Sequence, residues 1–271
     1  MTGRPYPLAA ALLAALLLIA SCSLALAKPT AATKAATAPA TPHALIEQVL
    51  AAYGGRAALD TVRAYRCEGT VFAMRSHDEA PSIRVFARPD RFKILIQYQP
   101  TSEVRIVDGA KGWRSSRGDS ISPATGMMLD AMSLQAARAD LPWILAERES
   151  LVRFVAADSA TLARMGGKSV SGLEVPLAGG LLLHAFVDSE THRVAFSEGI
   201  MPRVPMAPKF EVSYSDYRPV NGVWFAFKEL SSASGMPTGA TTIKSIVVNP
   251  PIRLDEFVPP GPIGTGPAAG H

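Results

Sequence analysis

Residues 209–230 read KFEVSYSDYRPVNGVWFAFKEL, and this stretch decides the fold. Phe210, Val212 and Tyr214 alternate with Glu211, Ser213 and Ser215, the two-residue period of a half-buried strand. Asn221-Gly222 then stands between two such runs. Both residues tolerate the left-handed backbone of a tight two-residue turn, so the pair predicts a β-hairpin. Strands joined by short turns are antiparallel neighbours.

The same signature recurs outward from this hairpin. Phe92, Ile94 and Ile96 alternate with Lys93, Leu95 and Gln97, behind a Pro89-Asp90 turn. Residues 65–75 read as a strand with Gly69 as a bulge, followed by strands at 82–88 and 103–107 and a short one at Trp113. Further strands are expected at 152–156, 168–177, 181–188, 193–200, 208–217, 222–231 and 240–249. About ten strands at such spacing predict a mainly β (α+β) chain built on a large, curled antiparallel sheet.

Helices are few. Thr41-Pro42 is a cap followed by a first-turn proline. Leu45, Ile46, Val49, Leu50 and Tyr53 form one helical face, which Gly54-Gly55 terminates. Ala58, Leu59 and Val62 suggest a second short helix. Residues 126–150 interrupt the strands: Met127, Met128, Ala131, Met132 and Leu134 lie on a helical run, and Pro142 opens a second piece with Trp143, Ile144 and Leu145. Met201 to Pro208 is a proline-rich loop.

The N-terminal segment points to export. Arg4 precedes an apolar run of 13 residues, Leu8 to Ala20. That suits the core of a signal peptide, whereas a bilayer span takes about 20 residues. Ile19-Ala20-Ser21-Cys22 reads as a lipobox with Cys22 as the acylated residue, and Ser23 after it favours the outer membrane. Ala25-Leu26-Ala27 offers ordinary cleavage instead, and the uncharged stretch to Ala27 also allows a retained anchor. The lipobox is preferred because the cysteine directly ends the apolar run. The expected organisation is a signal peptide at 1–22, a flexible Ala/Thr/Pro tether at 23–42, a folded domain at 43–260 and a disordered tail at 261–271.

Composition excludes several classes of function. The 271 residues are 48% hydrophobic and 18% charged, enough for a substantial core. The net charge of +4 is spread thinly, so nucleic acid is not an expected partner. Cys67, without a partner once Cys22 is acylated or removed, reads as a small buried hydrophobe. Gly167-Lys168-Ser169 resembles the end of a P-loop, but its first glycine would fall at Leu162. There is no G-x-S-x-G elbow and no zinc spacing among the five histidines. His184 and His192 flank a turn and read as surface residues, and Arg117-Gly118-Asp119 reads as a chance turn. Neither enzyme, metal nor cofactor is expected.

Several stretches, taken in order, resemble one family. They are Ala52-Tyr53-Gly54-Gly55-Arg56-Ala57-Ala58-Leu59, Arg88-Pro89-Asp90-Arg91-Phe92, Val107-Asp108-Gly109-Ala110-Lys111-Gly112-Trp113 and Val187-Asp188-Ser189-Glu190-Thr191. The last are Tyr214 to Trp224, Val248-Asn249-Pro250-Pro251 and Phe257-Val258-Pro259-Pro260. Together they resemble the LolA/LolB-like periplasmic lipoprotein-carrier superfamily across nearly all of residues 43–260. The resemblance implies a half-barrel, an antiparallel sheet curled under a helical lid with an apolar cavity between them. It implies binding or transport of a lipid, a lipoprotein acyl chain or another apolar ligand in the cell envelope, facing the periplasm. The carrier's ligand-contacting arginine aligns with no definite residue here. The expected cavity residues are Phe92, Ile94, Ile96, Val104, Ile106, Phe210, Val212 and Tyr214, with the lid methionines Met127, Met128 and Met132. An envelope interaction, structural or ligand-sensing module, docking a protein partner through a sheet edge or the proline-rich loop, is the alternative.

Overall fold

The structure is a computed structural model that describes Pro39 and residues 41–117 and 120–259, with Leu254 described by its backbone only. The signal segment, Cys22, most of the tether, Gly118-Asp119 and the tail at 261–271 lie outside the described residues.

Helix α1 (Pro42–Ala52) starts where the sequence requires: the Thr41 hydroxyl accepts a hydrogen bond from the Ala44 amide at 3.1 Å, and Pro42 occupies the first turn. It buries Leu45, Ile46, Val49 and Leu50, and gives way to Gly54 at φ +124°. A short α2 (Arg56–Thr61) follows. The first strands are β1 (Ala64–Ala73), β2 (Asp78–Ala87), β3 (Arg91–Ile96), β4 (Glu103–Asp108), β5 (Lys111–Ser115) and β6 (Ser122–Pro123). The helical interruption is α3 (Gly126–Ala139) and α4 (Trp143–Glu147). Next come β7 (Arg153–Val155), α5 (Ser159–Arg164), β8 (Val170–Pro176), β9 (Leu182–Asp188) and β10 (Val194–Ile200). The last strands are β11 (Phe210–Val220), β12 (Val223–Ala233) and β13 (Met236–Val248).

The thirteen strands of the described residues form one sheet in the order β6-β5-β4-β3-β2-β1-β13-β12-β11-β10-β9-β8-β7. Every described pairing is antiparallel. Two meanders thus join along the β1–β13 seam, and β6 and β7 leave the sheet open at its edges. The hairpin turns as expected, with Val220 opposite Val223 and positive φ at Asn221 and Gly222. The Gly69 bulge is also present, as a register shift between Glu68 and Gly69 against β13. A Cβ on Gly69 would lie 2.1 Å from the Thr242 carbonyl oxygen, so only glycine allows this approach.

The curl follows from what α3 touches. It packs against β3, β4 and β5 of one arm and β9 and β10 of the other. β4 is third and β10 tenth in the sheet order. Seven steps at about 4.8 Å would separate them by roughly 34 Å if flat, several helix radii too far. The sheet is therefore wrapped around α3.

Two expectations change. Thirteen strands lie among the described residues, and the one not expected is β6, two residues long and too short to show a period. Helix α5 was not expected: it is six residues long, and its signal is the cap, where Asp158 accepts from the Thr161 amide at 2.7 Å.

Candidate functional site: a cavity inside the curled sheet

Beneath α3 the concave face encloses a cavity of about 380 Å³. Its closed end is aromatic: Tyr53, Tyr65, Tyr217, Trp224 and Phe225 line it. The Tyr65 hydroxyl donates to the Ala139 carbonyl, and its ring meets Phe225 edge-on at 5.3 Å. At the other end, exposed Thr238 and Arg117 mark the mouth, and the Arg117 guanidinium lies 3.4 Å from the centre of the Tyr98 ring.

The closed end is pinned by the motifs that carry the family resemblance. Tyr53 and Tyr217 share a hydroxyl–hydroxyl bond of 2.9 Å, and the Tyr217 hydroxyl donates to the Val194 carbonyl at 2.7 Å. Burial pushes the Tyr53 hydroxyl up to about 12, so it stays protonated. The Trp224 amide donates to the Tyr53 carbonyl at 3.0 Å, and a Cβ on Gly54 would sit 2.1 Å from the Gly222 carbonyl oxygen. Arg193 stacks on Trp224 at 3.8 Å while donating to the Ala52 carbonyl at 3.1 Å. Asn249 accepts from the Arg63 and Ala64 amides and donates to the Thr61 carbonyl. Motifs scattered over nearly 200 positions thus meet as one clasp between α1, α2 and the sheet.

The middle of the cavity is charged. Arg84 on β2 donates two hydrogen bonds to Glu229 on β12, at 2.7 and 2.8 Å, across a wall that only the curl makes this narrow. Burial alone would raise the Glu229 carboxyl, but Arg84 outweighs it and holds the group below its ordinary value. Arg105 on β4 donates to Glu103 and, at 3.2 Å, to Gln135 of α3. Arg138, one helical turn further along α3, also faces the cavity. Ser197 and Tyr214 share a 2.9 Å hydroxyl bond.

Of the residues expected from sequence, Ile94, Ile96, Val212 and Tyr214 line this cavity. Phe92 is buried in the core beside it, and Phe210 packs under α3 near Leu134 and Met201. Val104 and Ile106 are corrections: they face the convex side and pack with Val85 and Phe257. The segment at 252–257 covers that face, so the apolar side of β4 points outward and Glu103 and Arg105 point in. The methionines are corrected too. Met127 and Met128 are 50% and 38% exposed, and Met132 is a core residue; the underside of α3 presents Gln135, Arg138 and Ala139. The cavity is therefore mixed rather than simply apolar. Alternation revealed the two faces of β4, but not which of them was concave.

Other polar groups are accounted for structurally. His184 is buried, not on the surface, with Nε2 3.1 Å from Glu174 and Nδ1 3.6 Å from Glu198. Glu198 also accepts from the Thr161 hydroxyl at 2.6 Å, which ties α5 to the convex face. His43, Glu47 and Glu149 cluster within metal-binding reach, but Arg56 bonds both glutamates and already supplies the balancing charge. Cys67 lines the cavity with its thiol pushed up to about 12 by burial, and among the described residues no histidine lines the cavity beside it. A second pocket of about 280 Å³ lies on the other flank of α3, against Phe86, Val107, Leu129 and Ile144. No helix among the described residues is long and apolar enough to cross a membrane.

No family model and no curated protein matches the chain in sequence. Among solved structures, it is similar to a domain assigned to outer membrane lipoprotein sorting from Vibrio parahaemolyticus, at 10% identity and a TM-score of 0.49, over 80% of this chain and 95% of that one. It is similar to a LolA superfamily protein from Nitrosomonas europaea, at 11% identity and a TM-score of 0.48, over 80% of this chain and 97% of that one. It is also similar to a DUF1329 family protein from Desulfovibrio piger, at 11% identity and a TM-score of 0.48, over 80% and 95%.

Proposed function

We propose that this chain is a non-enzymatic binder or carrier of a lipid, a lipoprotein acyl chain or another apolar-chain ligand in the bacterial cell envelope. The observation that carries the reading is the cavity itself: about 380 Å³ held open inside an incompletely closed sheet. That volume is in the range of small-molecule sites. Val71, Ile94, Ile96, Val212 and Ile246 supply apolar wall on both sides of the seam. Each methylene buried there contributes about 0.8 kcal/mol, so a long chain binds firmly without specific polar chemistry.

The N-terminal segment supports export, and the lipobox supports a lipid anchor at Cys22 with the tether holding the domain off the outer membrane, facing the periplasm. Native mass spectrometry of the protein taken from its own membrane fraction in mild detergent tests both parts. The expected species starts at Cys22, carries acyl mass and releases a second, non-covalent lipid. A chain starting at Lys28 with no bound lipid would overturn the anchored carrier.

A further inference from the structure

The charges of the cavity do not balance. Four arginines line it, Arg84, Arg105, Arg117 and Arg138, against two glutamates, Glu103 and Glu229. Arg84 is taken by Glu229 and Arg105 by Glu103. Arg117 is taken by Asp78 at the mouth. Arg138 is left over: among the described residues its guanidinium has no carboxylate partner, and its buried Nη1 has no hydrogen-bond partner.

The fold makes room for this cation. A Cβ on Gly199 of β10 would come within 3.0 Å of Arg138 Nη1 and 3.0 Å of Leu134 Cδ1, so any other residue there would crowd the guanidinium. A buried charge without a counter-charge is costly, so one that is kept leaves a place for a counter-ion. Burial pulls the Arg138 group below its ordinary value, but arginine begins so high that it stays cationic at neutral pH. The same cavity wall carries other groups suited to an anion's oxygens: the Tyr214 hydroxyl on β11 and the Gln135 amide on α3.

We propose that the cavity takes an amphipathic ligand with a single anionic head, a carboxylate or a phosphate, whose charge is neutralised by Arg138 while its chain lies along the apolar wall. This rests on the chain-binding reading above and narrows its ligand class. It disfavours neutral acylglycerols as preferred ligands. Arg138 is the specificity-determining residue; the apolar wall supplies the part of the affinity that does not depend on the head.

The test uses the folded protein loaded with the uncharged fluorescent probe N-phenyl-1-naphthylamine. Three single-chain competitors of equal length displace it: oleate, oleoyl lysophosphatidic acid and monoolein, each below its aggregation concentration. Wild type is expected to bind at least one anionic competitor tenfold or more tightly than monoolein, and which one identifies the head as carboxylate or phosphate. Arg138→Met is expected to lose that preference, binding the three competitors within about threefold of one another, and Arg138→Lys to keep part of it. Because the arginine has no partner to strand, Arg138→Met is expected to melt no lower than wild type, which separates lost recognition from lost folding. Equal binding of all three competitors by wild type, or a preference that survives in Arg138→Met, overturns the anionic head and leaves the chain-binding reading standing. Failure of wild type to bind the probe or any competitor overturns both.

Discussion

The closed end of the cavity and its middle are built on opposite principles. The closed end is a clasp in which nearly every polar group has a neutral partner: hydroxyl to hydroxyl, indole stacked under guanidinium, Asn249 bridging two backbone segments. The middle is a belt of charges, some matched across the curl and one left over. The first arrangement fixes shape, and at Gly54 it leaves no room for a side chain. The second costs desolvation and contributes little net stability. Each region therefore predicts a different response to mutation.

The largest effect is expected at the clasp. Gly54→Ala places a Cβ onto the Gly222 carbonyl at a backbone angle that L-residues avoid. The combined strain and overlap should cost on the order of 4 kcal/mol, read as a lowered urea midpoint with an unchanged slope. A loss below about 1 kcal/mol would mean the clasp yields easily, and the contrast between the regions would fail.

The belt gives the next effect, and it has two halves. Arg84→Ala strands the Glu229 carboxylate and should cost about 3 kcal/mol, whereas the double variant Arg84→Met, Glu229→Leu should recover most of it. The pH dependence sharpens this. Glu229 is held below its ordinary value in the folded state, so its contribution is full above the unfolded value near 4.3 and is lost as pH falls through the lowered one. Acid melting curves should show this limb in wild type and a flatter one in the double variant.

The smallest effect is expected on the outer face of α3. Met127→Gln with Met128→Gln should change stability by no more than about 0.5 kcal/mol and leave probe binding untouched. A marked loss of binding would return the methionines to the ligand surface.

The sequence made the clasp legible and hid the belt, for a physical reason. Turn and cap chemistry is local: Thr41-Pro42, Gly54-Gly55 and Asn221-Gly222 each specify a backbone state within a few residues. Alternation is also local, so strands β3, β4 and β11 were readable as two-faced. Which face turns inward is decided elsewhere, by the segment at 252–257 covering Val85 and Ile106 on the convex side. Nothing local in the sequence therefore marks Arg84, Arg105 and Arg138 as cavity residues. The clue available in the sequence was an arginine or glutamate inside a strand whose other face is equally apolar, as in Glu103-Val104-Arg105-Ile106-Val107.

The seam between the two meanders has a further consequence, in the order of events as the chain folds. Val71 pairs with Thr241, 170 positions later (241 − 71), while every other ladder joins strands that follow one another in the chain. Local hairpins close early and pairings of such separation close late. The first meander must therefore wait with the β1 edge unsatisfied until the final strand has been made. If the chain is exported as proposed, that delay keeps the polypeptide unfolded for threading across a membrane. It also leaves a bare edge open to wrong partners until β13 arrives.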